Sequence, residues 1–507
     1  MFIKINSFGL FGMDAYSVSV EIDISRGIPI FDMVGLPDIA VKESRDRVRS
    51  AIKNCGCAFP LGRVIVNLAP ADIRKIGSLY DLPLFVGLLA AGGELDCGVS
   101  ESAFFGELSL SGEITRVSGV LPMVIEAKAQ GVKSVYLPYE NGAEGAVVEG
   151  IDVYAVKNVR ELLDHLIGVE LLTPVKPTPF KSRTGDEQLD YCDVKGQTAA
   201  KRALEIAAAG GHNVLLIGPP GAGKSMLAKR LPSILPPLTF EEAIETTKIH
   251  SIAGVLSGKE SLVRSRPYRH PHHTVSPVAL SGGGTFPRPG ELSMAHNGVL
   301  FLDELPEFTR PAMEVLRQPI EDGCVSISRA SGTCTYPCQT MLIGAMNPCK
   351  CGYYGHPTRK CSCSPQAVSA YLSKVSGPLL DRLDLHIEVM PVEFENLSSG
   401  QKAECSADIR ERVCAARAVQ VERYKAQGVA CNAHITPAML NEFCIMTPAA
   451  KVLLGKVFDS MGLSARAYDR ILKVSRTIAD LEGVKEIEPA HIAEAVQYRS
   501  LDRKYWQ

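Results

Sequence analysis

The chain is 507 residues long, too many for one hydrophobic core, so about two to four domains are expected. Its hydrophobic (46%) and charged (22%) content is that of an ordinary globular protein, and a formal net charge of -2 excludes a global field drawing it to nucleic acid or an anionic membrane. Any nucleic-acid site must be a local patch. No stretch carries about 18 uninterrupted apolar residues, and the start Met1-Phe2-Ile3-Lys4-Ile5-Asn6 lacks the regions of a signal peptide. A cytoplasmic protein with no membrane partner is expected, its 15 cysteines reduced and some available to a metal.

Residues 1–170 read as one α/β unit. Tyr16–Ile22 and Arg63–Leu68 alternate as strands do, Ala40–Asn54 interleaves charges with Val41, Val48 and Ile52 as an amphipathic helix does, and Leu82–Ala91 reads as an apolar helix. Residues 171–188 hold prolines and polar residues without a period and form a linker. A second α/β domain is expected over 189–395. The remainder, 396–507, is helical: Ile471, Val474, Ile478 and Leu481 recur at helical spacing, and Glu488-Pro489 opens a further helix.

Within the second domain, the apolar run Val214–Ile217 leads into Gly218-Pro219-Pro220-Gly221-Ala222-Gly223-Lys224-Ser225 and then Met226-Leu227-Ala228. Strand, glycine-rich turn and helix start, in that order, make a loop whose backbone N–H groups wrap a nucleotide's phosphates. Lys224 would reach the β/γ-phosphates and Ser225 would hold Mg²⁺. Gly298–Leu302 is a second apolar run, ending in Asp303 and Glu304. In a parallel sheet it delivers Asp303 to the Mg²⁺ shell and Glu304 to the attacking water as general base; by itself it would equally be a solvated acidic turn. Thr340–Met346 ends in Asn347, placed to bridge the γ-phosphate and the water. Arg382, in Leu379-Leu380-Asp381-Arg382-Leu383-Asp384, is a candidate arginine finger acting on a neighbouring subunit. Arg466 and Arg470 lie one helical turn apart, and Arg466 is the preferred lid contact to the phosphate.

These motifs together resemble the AAA+ ATPases, most closely the magnesium-chelatase-like branch and within it the ComM/YifB family. The likeness spans nearly the whole chain. It includes Asp190–Gln197 before the phosphate loop, Arg266–His273 and Ala279–Gly284 between the two nucleotide motifs, and Leu316–Gly323. The resemblance implies a parallel-sheet ATPase core, a helical lid, ATP and Mg²⁺ as cofactors, and a homo-hexamer. Its expected activity is that of a ring-forming DNA motor, a branch-migration helicase on single-stranded or branched DNA, with recombination proteins and natural transformation as its setting. A protein-remodelling or metal-insertion ATPase indifferent to DNA is the other reading. Residues 1–170 resemble a Lon-protease-like domain, on Phe105–Ile114 and Gly131–Pro138. The positions of that domain's Ser nucleophile and Lys partner fall on Asp81 and Leu121, so the unit is expected to be inactive as a protease, with Ser78 nearby.

Three further features are open. Arg264, Arg266, Arg269, His270, His272 and His273, followed by Gly282-Gly283-Gly284, read as a mobile basic loop, or as a metal site in the histidines. Val325–Arg329 and Thr333–Tyr336 alternate around Ala330-Ser331-Gly332 as a hairpin, which by resemblance would touch the DNA backbone in the ring's pore. Cys349, Cys351, Cys361 and Cys363 suit a structural Zn²⁺, with His356 as a substitute ligand, or are four free thiols; Cys334 and Cys338 are expected in the core.

Overall fold

A computed structural model describes residues 1–95, 99–184, 189–257, 260–329, 332–391 and 403–506, the side chains of 502 and 503 excepted. The chain packs as two compact units, Met1–Lys181 with Phe240–Val263, and Ser182–Thr239 with Arg264–Gln507. Among the described residues, no helix is long and apolar enough to cross a membrane.

The first unit is built on a seven-stranded mixed sheet in the order Ile30–Val34, Arg63–Ala69, Asp14–Ser25, Phe2–Phe11, Ser102–Phe104, Ser134–Pro138, Asp152–Val156. Its first hairpin pairs Ile5 with Val20 and Ser7 with Val18, and the period of two sends Val18, Val20 and Ile22 inward together. The helix Ile39–Asn54 starts where Asp38 accepts the Val41 N–H, and it buries Val41, Val48 and Ile52. The helix Asp81–Gly92 is buried almost throughout, which is why its sequence is apolar on every face.

Residues 240–263 depart from the expected 189–395 boundary, for they belong to this first unit. Ile244 in the helix Phe240–Ala253 packs with Leu121, Val147 and Leu262. Buried Glu144 accepts from Ser251, from the Leu121 N–H (2.9 Å) and from Asn141 (3.0 Å). Sequence periodicity cannot show which core a helix joins, because any apolar face satisfies it.

Asp81 has no exposed side-chain surface; it takes two hydrogen bonds from Arg47 (2.7 and 3.0 Å) and one from the Leu108 N–H (3.1 Å). Burial pushes its carboxyl above the usual range despite the Arg47 partner. Leu121 is fully buried, and the Ser78 hydroxyl donates to Glu107. Replacing Asp81 by Ala strands the Arg47 guanidinium and the Leu108 N–H. We expect a loss of about 2–3 kcal/mol, read as a lower urea midpoint for this unit.

The second unit holds a five-stranded all-parallel sheet in the order Tyr268–Arg269, Val299–Leu302, Met341–Met346, Val214–Ile217, Leu385–Glu388. Val214 pairs with Ile343 on one side and Leu385 on the other, and the central strands are wholly buried, as their unbroken apolar runs require. Helices Ser406–Arg423, Ala465–Leu481 and Pro489–Gln497 share one apolar core with this sheet, joining Ile409, Val413, Ile471, Ile478 and Ile492 to Val214 and Leu385. The helical region therefore does not stand off as a core of its own.

Candidate nucleotide site

All three parallel strands that carry site motifs point their C-terminal ends the same way, so their following residues meet at one edge of the sheet. After Val214–Ile217 the chain turns through Gly218–Gly223 into the helix Lys224–Arg230. Gly218 crosses the neighbouring backbone so closely that an added Cβ would lie 2.1 Å from the Val389 carbonyl oxygen. Gln197 steadies the turn from behind, donating to the Ala222 carbonyl at 3.1 Å. The Asp190–Gln197 segment packs against the helix that follows the loop: the Tyr191 hydroxyl donates to the Leu227 carbonyl (3.2 Å), and Arg230 pairs with Asp193 (3.0 Å).

The turn, the helix start and the two neighbouring strand ends enclose a cleft of about 340 Å³. It is lined by Pro220, Gly221, Ala222, Gly223, Lys224, Ser225 and Met226, and by Asp303, Glu304 and Asn347. Lys224 Nζ donates to the carbonyls of Gly218 (2.7 Å) and Pro219 (3.0 Å) and to Asn347 Oδ1 (3.1 Å). Burial pulls the Lys224 amine below its usual pKa, against the opposing pull of Asp303 and Glu304. A cation that is short of counter-charge and held only by neutral acceptors is prepared for an anion. Ser225 Oγ donates to Asp303 Oδ2 at 2.6 Å, so a hydroxyl and a carboxylate already stand together as hard oxygen donors suited to Mg²⁺. Glu304 follows in the left-handed region (φ 52°), its N–H donates to Asp303 Oδ1 (2.9 Å), and its Oε2 lies 3.4 Å from His273 Nδ1.

That histidine contact was not legible in the sequence. The stretch expected as a mobile basic loop is largely pinned. Arg266 donates to the carbonyls of Pro236 (2.6 Å) and Asn297 (2.8 Å), Arg269 makes a two-bond pair with Glu291 (2.7 and 2.8 Å), and the His270 ring lies 4.9 Å from Phe301. Among the described residues, His270, His272 and His273 form no metal-ligating cluster. Arginine count signals positive charge, but backbone carbonyls and a carboxylate take up that of Arg266 and Arg269.

Neither Arg382, expected to act on a neighbouring subunit, nor Arg466 lines this cleft of its own chain. Arg382 precedes the strand Leu385–Glu388 and Asn213 precedes Val214–Ile217, so both mark the sheet edge opposite the phosphate loop; Asn213 Nδ2 donates to the Arg382 carbonyl at 3.2 Å. The Arg382 side chain is held by the carbonyls of Arg317 (2.8 Å) and Pro378 (2.7 Å) and by Glu321 (2.8 Å). Arg466 is exposed and lines a separate cleft of about 590 Å³ with Asn213, Asp384 and Arg470, so it does not reach the phosphate loop of its own chain. Arg470 is committed to Asp384.

The hairpin forms as expected, Cys324–Arg329 against Gly332–Pro337, with residues 330–331 outside the described ones. Val325, Ile327, Cys334 and Tyr336 face inward, and the Tyr336 hydroxyl donates to the Pro287 carbonyl at 2.8 Å. The other face exposes Ser326, Ser328, Thr333 and Thr335 in facing pairs, while Arg329, at the strand end, follows the Val325–Ile327 alternation and donates to the carbonyls of Gly284 (3.4 Å) and Ser328 (3.2 Å). The four thiols of Cys349, Cys351, Cys361 and Cys363 lie within 4.8 Å of one another. Burial pushes Cys349 up to about 12. Cys351 is brought down to about 5, where hydrogen bonds from the Tyr353 and Ser362 backbone outweigh the cost of burial. His356 faces its own turn instead, accepting from the Thr358 and Arg359 N–H groups (3.2 and 3.1 Å).

Comparison with known proteins covers the chain in order. Residues 20–141 match the model of the ChlI subunit of Mg-chelatase, 190–397 that of magnesium chelatase subunit ChlI, and 403–499 its C-terminal region. The chain is 42% identical over 497 residues to the competence protein ComM of Haemophilus influenzae, spanning 97% of this chain and 96% of that one. It is 43% identical over 495 residues to the protein YifB of Escherichia coli, spanning 97% and 96%. A 90-residue stretch, 17% of this chain and 15% of the relative, is 34% identical to Lon protease 2 of Bacillus subtilis.

Proposed function

We propose that this chain, which belongs to the ComM/YifB family of magnesium-chelatase-like AAA+ proteins, is an ATP-hydrolysing, ring-forming motor that moves on DNA. The observation that carries the ATPase reading is the convergence of Lys224, Ser225, Asp303, Glu304 and Asn347 on one cleft. A triphosphate entering there would draw the Lys224 ammonium from its carbonyl partners onto its terminal phosphates. Ser225 and Asp303 would hold Mg²⁺, which supplies charge neutralisation between the phosphates. Glu304 would accept the proton of the attacking water, and Asn347 would hold that water or the phosphate in register. Arg382, on the opposite sheet edge, would serve the next subunit of a homo-hexamer, exchanging Glu321 for the transferring phosphate. Arg466, equally remote from its own loop, would sense nucleotide only across such an interface.

The hydroxyl face of the hairpin supports DNA as the track. Ser and Thr hydroxyls suit phosphate oxygens and carry no base-reading geometry, and exposed Arg329 at the hairpin's end adds one cation, so binding should be sequence-neutral and salt-sensitive. Likeness to a competence protein supports recombination of incoming DNA as the setting, with branch migration as the action on forked or four-way substrates. The Arg329→Ala variant should bind single-stranded DNA more weakly on every sequence and lower the salt slope by about 1, measured by fluorescence anisotropy across a salt series. The decisive assay is ATP turnover with and without single-stranded DNA, paired with strand displacement from a fork. Turnover indifferent to DNA, with no displacement at low salt, would favour the protein-remodelling alternative.

A further inference from the structure

We propose that Cys349, Cys351, Cys361 and Cys363 hold one zinc ion, and that this metal-closed loop holds the phosphate-binding loop in shape through its contact with Pro220. The inference goes beyond the motor reading, because it concerns a second site and its grip on the first.

The thiol geometry fits a tetrathiolate. Sγ of Cys349 lies 3.3 Å from Cys351 and 3.7 Å from Cys361, and Cys351 lies 3.5 Å from Cys361. Four sulfurs around one zinc at about 2.3 Å would stand about 3.8 Å apart. All three measured spacings approach that value, and all four sulfurs fall inside 4.8 Å. No pair is bonded as a disulfide.

The chain between the ligands cannot organise itself otherwise. From Asn347 to Ser364 there is no helix or strand, and the segment is mostly glycine, proline, basic and hydroxyl residues. Such a stretch buries too little apolar surface to offset its own ordering, so metal binding would supply the folding free energy.

The loop's position gives the ion a consequence. Cys349 lies two residues past Asn347, which accepts from Lys224 Nζ. Gly352, in the left-handed region (φ 85°), sits so near the phosphate loop that an added Cβ would lie 2.5 Å from Pro220 Cδ. Pro220 is the residue after Pro219, whose carbonyl also takes Lys224. The zinc loop is thus in contact with the phosphate loop at Pro220 and is continuous in sequence with the Asn347 strand. Releasing the metal frees Gly352 from Pro220, and two of the three Lys224 acceptors, the Pro219 carbonyl and Asn347, lose a fixed support.

The test uses the full-length protein purified without chelator. Elemental analysis should find about one zinc per chain, and Cys361→Ser and Cys351→Ser should lose it. A mercurial thiol reagent should release that zinc to a colorimetric indicator. A zinc-selective chelator in excess Mg²⁺ should then weaken binding of a fluorescent ATP analogue and lower turnover by about 10²-fold, and added zinc should restore both. Gly352→Ala should keep the zinc yet weaken nucleotide binding, which separates loop contact from loss of fold. Protein that stays free of zinc after growth and titration with it, or that shows disulfides among these thiols, overturns the site. Bound zinc whose removal leaves analogue binding unchanged overturns the coupling. If the ATPase reading were wrong, Lys224→Ala would leave analogue binding intact while zinc content stayed at about one per chain, so the two failures are distinguishable.

Discussion

Replacing Glu304 by Gln is expected to cut ATP hydrolysis by about 10²–10⁴-fold while leaving nucleotide bound. The exchange preserves side-chain length and shape and removes only the capacity to take a proton. Lys224, Ser225 and Asp303 keep their contacts, so phosphates and metal would remain held. Glu304 is held at φ 52°, a conformation that costs a non-glycine residue about 1–2 kcal/mol, and it lines the cleft. Phosphate release measured beside retained nucleotide separates the two effects, the first collapsing and the second persisting or rising. Unchanged turnover would remove Glu304 as the base. His273, 3.4 Å from Oε2, would then be the next residue to test.

The second large effect concerns stability. Asp384→Ala is expected to cost about 3–5 kcal/mol, because it leaves buried partners without their charge or acceptor. Asp384 is 6% exposed, ion-paired to Arg470, 3.5 Å from His212 Nδ1, and it accepts the Asn213 N–H at 3.0 Å. Asn213 in turn clips the central strands, accepting the Leu342 N–H at 2.8 Å and donating to the Arg382 carbonyl at 3.2 Å. Burial alone would push the Asp384 carboxyl up; Arg470 and His212 outweigh it and hold the group well below the usual carboxylate range. A depressed folded pKa gives stability that is present above the unfolded value, about 3.9, and is lost as pH falls below it. Urea unfolding at neutral pH should therefore show the full difference between native and variant chains, and the difference should narrow in strong acid. A variant as stable as the native chain at pH 7 would mean that Arg470 finds another acceptor.

Much of the nucleotide site was legible because its parts are local. The run Val214–Ser225 states a strand, a turn and a helix start in consecutive residues, and Val299–Glu304 and Met341–Asn347 each state a buried strand with a polar tip. Parallel pairing then leaves those tips little choice of where to meet. The Cys349–Cys363 cluster was legible for the same reason, since short spacing keeps the thiols close. The motif Leu379–Asp384 shows where local reading stops. Its Arg382 was read for transition-state chemistry, while Asp384 in the same motif proves to be the buried anchor of Arg470.

Sequence by itself determined the strand, glycine-rich turn and helix start of Val214–Ser225, the acidic and amide tips of the neighbouring strands, the α/β class and the helical C-terminal region, all of them set by short-range pattern and chain direction. Tertiary structure alone decided that the helix Phe240–Ala253 joins the first unit, that Arg266 and Arg269 are spent on neighbouring carbonyls and a carboxylate, that Arg466 lines a cleft other than the nucleotide one, and that Gly352 rests on Pro220. Each depends on which distant backbone or charge a side chain meets after the chain has turned back on itself, and neither periodicity nor composition encodes that distance.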